Sequence, residues 1–462
     1  MNEEVRIEKD VLGEVEVPIE AYWGINTQRA ILNFQISGKQ FPSSFIISLA
    51  TVKKACLQAN ISLKQIDEEL GEACTQAVDE IIIDNKFLDQ FPIDVFQTGS
   101  GTQTNMNMNE VIANRSNEIL GFSKGNKHPI HPNDHINLGH SSNDIIPTAM
   151  HLSILQSLKN DLLPAIKKIR ESLKIKIDEF SGIIKVGRTH LEDAVPIPLS
   201  MEFSVYEKQL MEGEKRLQLT FANLLSIPIG GTAVGTGINA HKDFSETTIK
   251  FLKEITGLDF FSNPLKAEGI ASHNTLVFVS GILKSIALTL MKIANDIRWM
   301  GSGPRAGLGE LILPQNEPGS SIMPGKVNPT QSEMLMQVCL QILGNDTIIT
   351  SAESHGSVLE LNTMKPLMIV SILDSINLMS KGIVSFTENL LKGLKPNIEN
   401  IKEHMERNLM SVTKLTPLIG YDKAAELAMK AYETNKSIKE IVLESELGNK
   451  SELVKILDSD DK

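Results

Sequence analysis

The chain has 462 residues, 41% of them hydrophobic, which is enough for two or three domains or one large elongated body and too apolar for a disordered chain. Its 45 Lys and Arg stand against 57 Asp and Glu, a formal charge of −12 that argues against a nonspecific nucleic-acid binder or a protein lying on anionic membranes. The three cysteines, Cys56, Cys74 and Cys339, have neither the close spacing of a zinc or iron-sulfur motif nor the density of a disulfide framework, and read as buried thiols of a reducing compartment.

The run from Met1 to Asp10 alternates acidic and basic side chains with no apolar stretch behind it, unlike a secretory signal, so a cytoplasmic location is expected. Over residues 1–139, short helical candidates such as 48–59 and 70–84 alternate with turns and form a mostly helical, loop-rich domain. Residues 140–394 are dominated by long segments of helical periodicity. Pro147 is expected in the first turn of a helix that carries Leu152, Leu155 and Leu158, where its missing N–H costs nothing. Further long candidates are 199–225, 271–300, 331–345 and 365–391. Within 271–300, Leu276, Val279, Leu283, Ile286, Leu290, Ile293 and Ile297 recur every three or four residues and make one broad apolar stripe. The apolar stretch 276–291 is interrupted by Ser280, Lys284, Ser285 and Thr289 and falls short of a membrane-spanning pattern. Stripes of this length read as a bundle whose apolar faces exceed what one subunit covers, which favours subunit association. Residues 395–462 hold a small helical domain with candidates at 397–408, 421–432 and 438–443. Strand-like runs are few, so the expected fold class is all-α: three domains around a central long-helix bundle.

Several polar blocks interrupt these helices. The run 98–107 (TGSGTQTNMN) offers hydroxyls and free N–H groups near a helix start, a composition suited to binding an anion. Residues 131–134 (HPND) and 141–144 (SSND) each place polar side chains at a helix start, where capping is the first function to expect. The block 187–194 (GRTHLEDA) carries a titratable ring in a polar run. Residues 319–329 (GSSIMPGKVNP) put a hydroxyl, an ammonium and an amide on a segment bracketed by glycines and prolines, the composition of a loop that folds over a ligand. The glycine-rich run 230–237 lacks the Gly-Lys-Ser/Thr ending of a phosphate loop, no dinucleotide fingerprint follows a strand, and no His/Cys/Asp cluster has metal spacing. Neither a redox cofactor nor a metal is expected.

Together these blocks resemble the fumarase/aspartase superfamily, and within it the class II, iron-free fumarases, over nearly the whole chain from about Val5 to about Leu443. Members eliminate a group from the carbon beta to a carboxylate through an aci-carboxylate dianion, which calls for a base, an acid and groups that stabilise the second negative charge. The resemblance implies that Ser320 is the base, that Lys326 and Asn328 bind a substrate carboxylate, and that Ser100, Thr102, Ser141, Ser142, Asn143 and Thr189 contact substrate. It implies that His190 holds or activates the water, with Glu333 as its acidic partner, and that His131, Asn133 and Asp134 form a peripheral dicarboxylate site. The family's usual Gly-Gln before the paired serines is Gly139-His140 here, which places a titratable ring at the edge of the site.

The expected activity is reversible hydration of fumarate to (S)-malate by a homotetramer whose sites are shared between subunits, with no nucleic acid, membrane, metal or cofactor involved. Two alternatives stay open. One is aspartate ammonia-lyase, because residues 351–356 (SAESHG) depart from common fumarase usage. The other is a non-catalytic structural member of the superfamily.

Overall fold

A computed structural model describes residues 4–459; the first three residues of the charge-alternating run and the last three of the C-terminal segment lie outside the described residues. The fold is predominantly α-helical. Its longest helices, Leu199–Leu219, Asn274–Met300, Thr330–Gly356 and Lys365–Asn389, have 21, 27, 27 and 25 residues. All seven apolar positions of the expected stripe in Asn274–Met300 are buried. By length and composition that helix does pass as a membrane span, with a mean hydropathy of 1.8 over an 18-residue window. Its polar interruptions are nevertheless used for packing: Ser280 and Lys284 both donate to Asp346, at 2.8 and 2.6 Å.

The chain divides into two compact units, each assembled from three separated stretches. The first contains the described chain up to Pro164, Lys215–Ser285 and Leu340–Ser380; the second contains Ala165–Glu214, Ile286–Cys339 and the described chain from Lys381. At the centre of the first unit, helix Ser43–Ser62 packs against Glu68–Ile82, Ser142–Ser157 and Phe244–Thr256. It is buried on nearly every side, with Phe45, Ile46, Leu49, Val52 and Cys56 in the core. Each such large apolar side chain contributes about 1.5–3 kcal/mol. In the second unit Arg170 reaches from Leu163–Glu179 to Glu207 and Glu214 of Leu199–Leu219, and Tyr206 donates to Asp296 at 3.0 Å. All three cysteines are free and buried, as their spacing suggested.

Two features depart from the sequence reading. Pro147 lies inside helix Ser142–Ser157, beyond its first turn, because the reciprocal cap formed by Ser141 and Asp144 starts the helix at Ser142. The other is β structure. Val5–Asp10 pairs with Gly13–Pro18, and Ile184–Thr189 pairs antiparallel with Glu192–Pro198. The second hairpin escaped notice because its turn, His190-Leu191, has none of the Asn-Gly chemistry that signals a two-residue hairpin.

The helix Thr102–Ile119 carries one polar block into the first unit, and Glu110 ties it to the N-terminal segment by accepting from the N–H groups of Gly24, Asn26 and Thr27 at 3.0, 2.9 and 3.1 Å. In the turn that leads into this helix, Gly99 lies against the backbone of residue 363. A Cβ at Gly99 would sit 1.5 Å from the Thr363 carbonyl oxygen, while the Lys365 N–H donates to the Gly99 carbonyl at 3.0 Å. Gly99→Ala must push two hydrogen-bonded backbones apart. The expected cost is about 3 kcal/mol or more, seen as a thermal midpoint lowered by at least about 5 °C; an unchanged midpoint would contradict this close approach.

Candidate active site

Three hydroxyls from two helix starts meet in the first unit. Ser100 Oγ lies 2.7 Å from Thr102 Oγ1, which lies 2.8 Å from Ser142 Oγ. Two internal hydrogen bonds use two of the three hydroxyl hydrogens, so the chain keeps one hydrogen and several lone pairs to offer outward. Ser100 and Ser142 are mostly buried, at 7% and 8% exposure, and a ligand that takes up these hydroxyls replaces few hydration contacts.

The neighbouring residues cap the same helix. Ser141 Oγ accepts from the Asn143 N–H at 3.3 Å, and the Asp144 carboxylate returns the contact by accepting from the Ser141 N–H at 2.8 Å. The second oxygen of Asp144 accepts from the N–H groups of Gly230 and Thr232, both at 2.9 Å, and Asn143 Nδ2 donates to the Ala233 carbonyl at 2.8 Å. The glycine-rich run 230–237 is thus folded onto the start of helix Ser142–Ser157. Burial pushes the Asp144 carboxyl up to about 7, against the backbone N–H groups that favour its charged form.

Behind the serines is a buried basic pair that the sequence reading only half identified. His140 Nε2 lies 2.8 Å from Lys53 Nζ, and His140 Nδ1 lies 3.0 Å from the Leu138 carbonyl. With the Nδ1 hydrogen on that carbonyl, Nε2 accepts from lysine. Burial, and next the Lys53 charge, hold His140 well below its usual range, so it stays neutral near pH 7. Burial lowers Lys53 instead, to about 7. The titratable group His140 brings to the site is therefore its lysine neighbour. Asn137 Oδ1 joins them, accepting from Lys53, Asn105 and Asn109 at 3.2, 3.0 and 3.1 Å.

The blocks 187–194 and 319–329 belong to the second unit. Thr189 ends one strand of the hairpin, and His190 and Leu191 make its turn with φ of 60° and 64°. Both turn side chains are exposed. Left-handed conformations at two residues other than glycine are costly, so the turn is held against local preference.

Residues 319–329 fold back on themselves. Ser320 Oγ accepts from the N–H groups of Ile322 and Met323 at 3.2 and 3.0 Å, and Asn328 Nδ2 donates to the Gly319 carbonyl. A Cβ at Gly319 would lie 2.1 Å from the Lys326 carbonyl oxygen, so only glycine fits this reversal. The loop lines an open concavity of about 420 Å³ together with residues 315–318. Lys326 is exposed and forms no ion pair among the described residues, and Glu333 stands exposed in the first turn of helix Thr330–Gly356.

At residues 131–134 the ring of His131 caps its own turn: Nδ1 accepts from the N–H groups of Asn133 and Asp134 at 3.2 and 3.3 Å. The donors suited to an anion are already engaged there.

Within one chain, then, Ser100, Thr102 and Ser142 are joined, and Ser141 and Asn143 flank them. Within the second unit, no hydrogen bond or ion pair among the described residues joins His190 to Glu333. Among the described residues no three His, Cys, Asp or Glu side chains assemble into a metal-holding group. Of the positioning residues, Asp144 was legible from the Ser-x-x-Asp capping pattern, whereas Lys53 comes from a distant stretch and gives no local signal.

Comparison with known proteins bears directly on this arrangement. A lyase family model matches residues 13–344, and a model for the fumarase C C-terminus matches residues 412–461. The class II fumarate hydratase of Nitrosomonas europaea is 47% identical over 441 residues, 96% of this chain and 95% of that protein. That of Thermosynechococcus vestitus is 50% identical over 446 residues, with the same coverage of both chains. The crystal structure of a class II fumarase from Schistosoma mansoni superposes with a TM-score of 0.95 at 39% identity, covering 98% of each chain. A chain so similar in sequence and fold along nearly its full length belongs to the class II fumarase family of the fumarase/aspartase superfamily.

Proposed function

We propose that this protein catalyses the reversible hydration of fumarate to (S)-malate, adding water anti across the double bond through an aci-carboxylate intermediate. The observation that carries the reading is similarity to class II fumarate hydratases over 95% or more of the chain at 47–50% identity. The neutral hydroxyl cluster and the cationic loop supply the two kinds of group the reaction requires.

Ser320 takes the proton from carbon. Two backbone N–H groups on its oxygen favour the anionic form that a serine base must reach. Lys326 and Asn328 bind the carboxylate that gains charge; the lysine acts as a mobile point charge, which suits a loop that must release product. His190, partnered by Glu333, holds the water, while Ser100, Thr102, Ser141, Ser142, Asn143 and Thr189 bind the substrate. The scheme draws on no cofactor and no metal. His131, Asn133 and Asp134 form a peripheral dicarboxylate site, which opens only when the His131 ring turns away from its own cap.

The working form is a homotetramer with shared sites. Long helices that leave Phe278, Leu288, Trp299, Leu340 and Ile348 exposed support this assembly. The formal charge of −12 supports a protein free of nucleic acid, the charge-alternating pattern of the run to Asp10 supports a cytoplasmic one, and the pairing of Ser280 and Lys284 with Asp346 favours a core helix over a membrane span.

The activity is tested by following fumarate absorbance with malate and aspartate supplied separately. Malate turnover far above aspartate turnover is expected; comparable rates would replace the reading with an ammonia-lyase, and no turnover of either would favour a non-catalytic member.

Ser320→Ala should lower kcat by about 10²–10⁴-fold in a folded protein, whereas Lys326→Met should raise KM and lower kcat together. Near-normal turnover in Ser320→Ala would remove the base assignment.

Mixing Ser320→Ala and His190→Asn tetramers after dissociation and reassembly should restore activity above the sum of the parents, because some pockets escape both changes. Verified subunit exchange without rescue would count against shared sites.

A further inference from the structure

We propose that Glu310 is a positioning residue for His190, acting through Arg188 at the root of the hairpin; the inference rests on the role given to His190 above. The turn itself cannot fix the ring. His190 and Leu191 are exposed, and their left-handed backbone at φ of 60° and 64° is unfavourable for side chains of this kind. Their geometry must be imposed by the strands.

Those strands are not regular. The pairing register shifts between Val186 and Arg188, at Gly187, where a Cβ would lie 2.5 Å from the Val195 carbonyl oxygen. In an unbroken strand, residues three apart point to opposite faces. The bulge changes this for Lys185 and Arg188, because an extra residue re-aims the side chains that follow it. Both cations reach one carboxylate: Arg188 Nη1 lies 2.7 Å from Glu310 Oε1, and Lys185 Nζ lies 3.2 Å from Oε2.

Glu310 is fully buried and its backbone is held on both sides. Its N–H donates to the Met300 carbonyl, and its own carbonyl accepts from the Asn397 N–H, each at 2.8 Å. Glu202 takes the other side of Lys185 at 3.1 Å, and His404 Nδ1 approaches Glu310 Oε1 at 3.5 Å. The opposite strand is anchored separately by Asn408 Nδ2, which donates to the Ala194 carbonyl at 3.0 Å. A buried anion that clamps both sides of the bulge sets the direction in which residues 189–191 leave the protein. Removing its charge leaves Arg188 without its ion-pair partner and Lys185 with Glu202 alone at the root of the turn. Displacements of about 1 Å at such a group cost on the order of 10²-fold in rate.

A double-mutant cycle tests the proposal, using malate dehydration by the full-length protein as the readout. Glu310→Gln should lower kcat/KM by about 10–100-fold, chiefly through kcat. In a His190→Asn background the same change should add less than about twofold, because there is no ring left to misplace. A merely structural role would lower activity by the same factor in both backgrounds, and that result would overturn the proposal, as would a folded Glu310→Gln enzyme of normal activity. Arg188→Met, which cuts the same link at a less buried residue, runs through the same cycle and decides the matter if Glu310→Gln fails to fold. A wild-type protein inactive on malate, or an unimpaired His190→Asn variant, would instead defeat the underlying reading of the site.

Discussion

The buried carboxylate of Asp144 is the interaction on which the first unit depends. It accepts from Ser141, Gly230 and Thr232, and so closes the helix cap and seats the glycine-rich run in the same contact. Left without it, three N–H groups in a closed environment would lack partners, at about 1–3 kcal/mol each. The position of Ser142, and through Ser142 the line of hydroxyls to Thr102 and Ser100, follows from that anchor.

The surrounding interior encloses two lysines. Lys53 and Lys365 are fully buried, and burial lowers each to about 7. Lys365 Nζ has no hydrogen-bond partner among the described residues, although the Asp144 charge acts on it. A lysine whose folded value lies below the usual 10.5 favours the fold above that pH. That contribution is lost as the pH falls from about 10 towards 7. The fold tolerates this cost beside a hydroxyl cluster proposed to receive a dicarboxylate, where positive potential is useful.

The second unit solves a different problem. It must present His190 and the loop 319–329 towards solvent and still hold them in shape. The loop achieves this locally, through Ser320 Oγ, the Asn328 amide and a reversal that only Gly319 permits. The hairpin achieves it remotely, because a two-residue turn has too few contacts of its own. On the proposed reading its geometry comes from the ion pairs of Lys185 and Arg188 with Glu310 at the root of the hairpin.

The long helices were legible in the sequence because a 3.6-residue period repeated over twenty or more positions is a strong signal, and each residue of the Leu276 to Ile297 stripe is buried. The polar blocks were legible too, as unbroken runs of hydroxyls, amides and one lysine. Even the Ser141-Asp144 cap was written in its spacing. What the sequence left undecided was every relation between residues far apart in the chain. The hairpin around His190 was missed because a bulge and two left-handed residues are stabilised by contacts with residue 310, more than a hundred positions away. Pro147 was misplaced by part of a turn because the cap, and not the proline, decides where that helix begins. Lys53 beside His140 had no local mark at all, since a buried lysine next to a neutral imidazole is set by packing alone. Local periodicity and capping are properties of neighbouring residues and can be read in order; the charges and reversals that aim the functional groups arise only when distant segments share one interior, where the cost of an unpaired polar atom dictates what must meet.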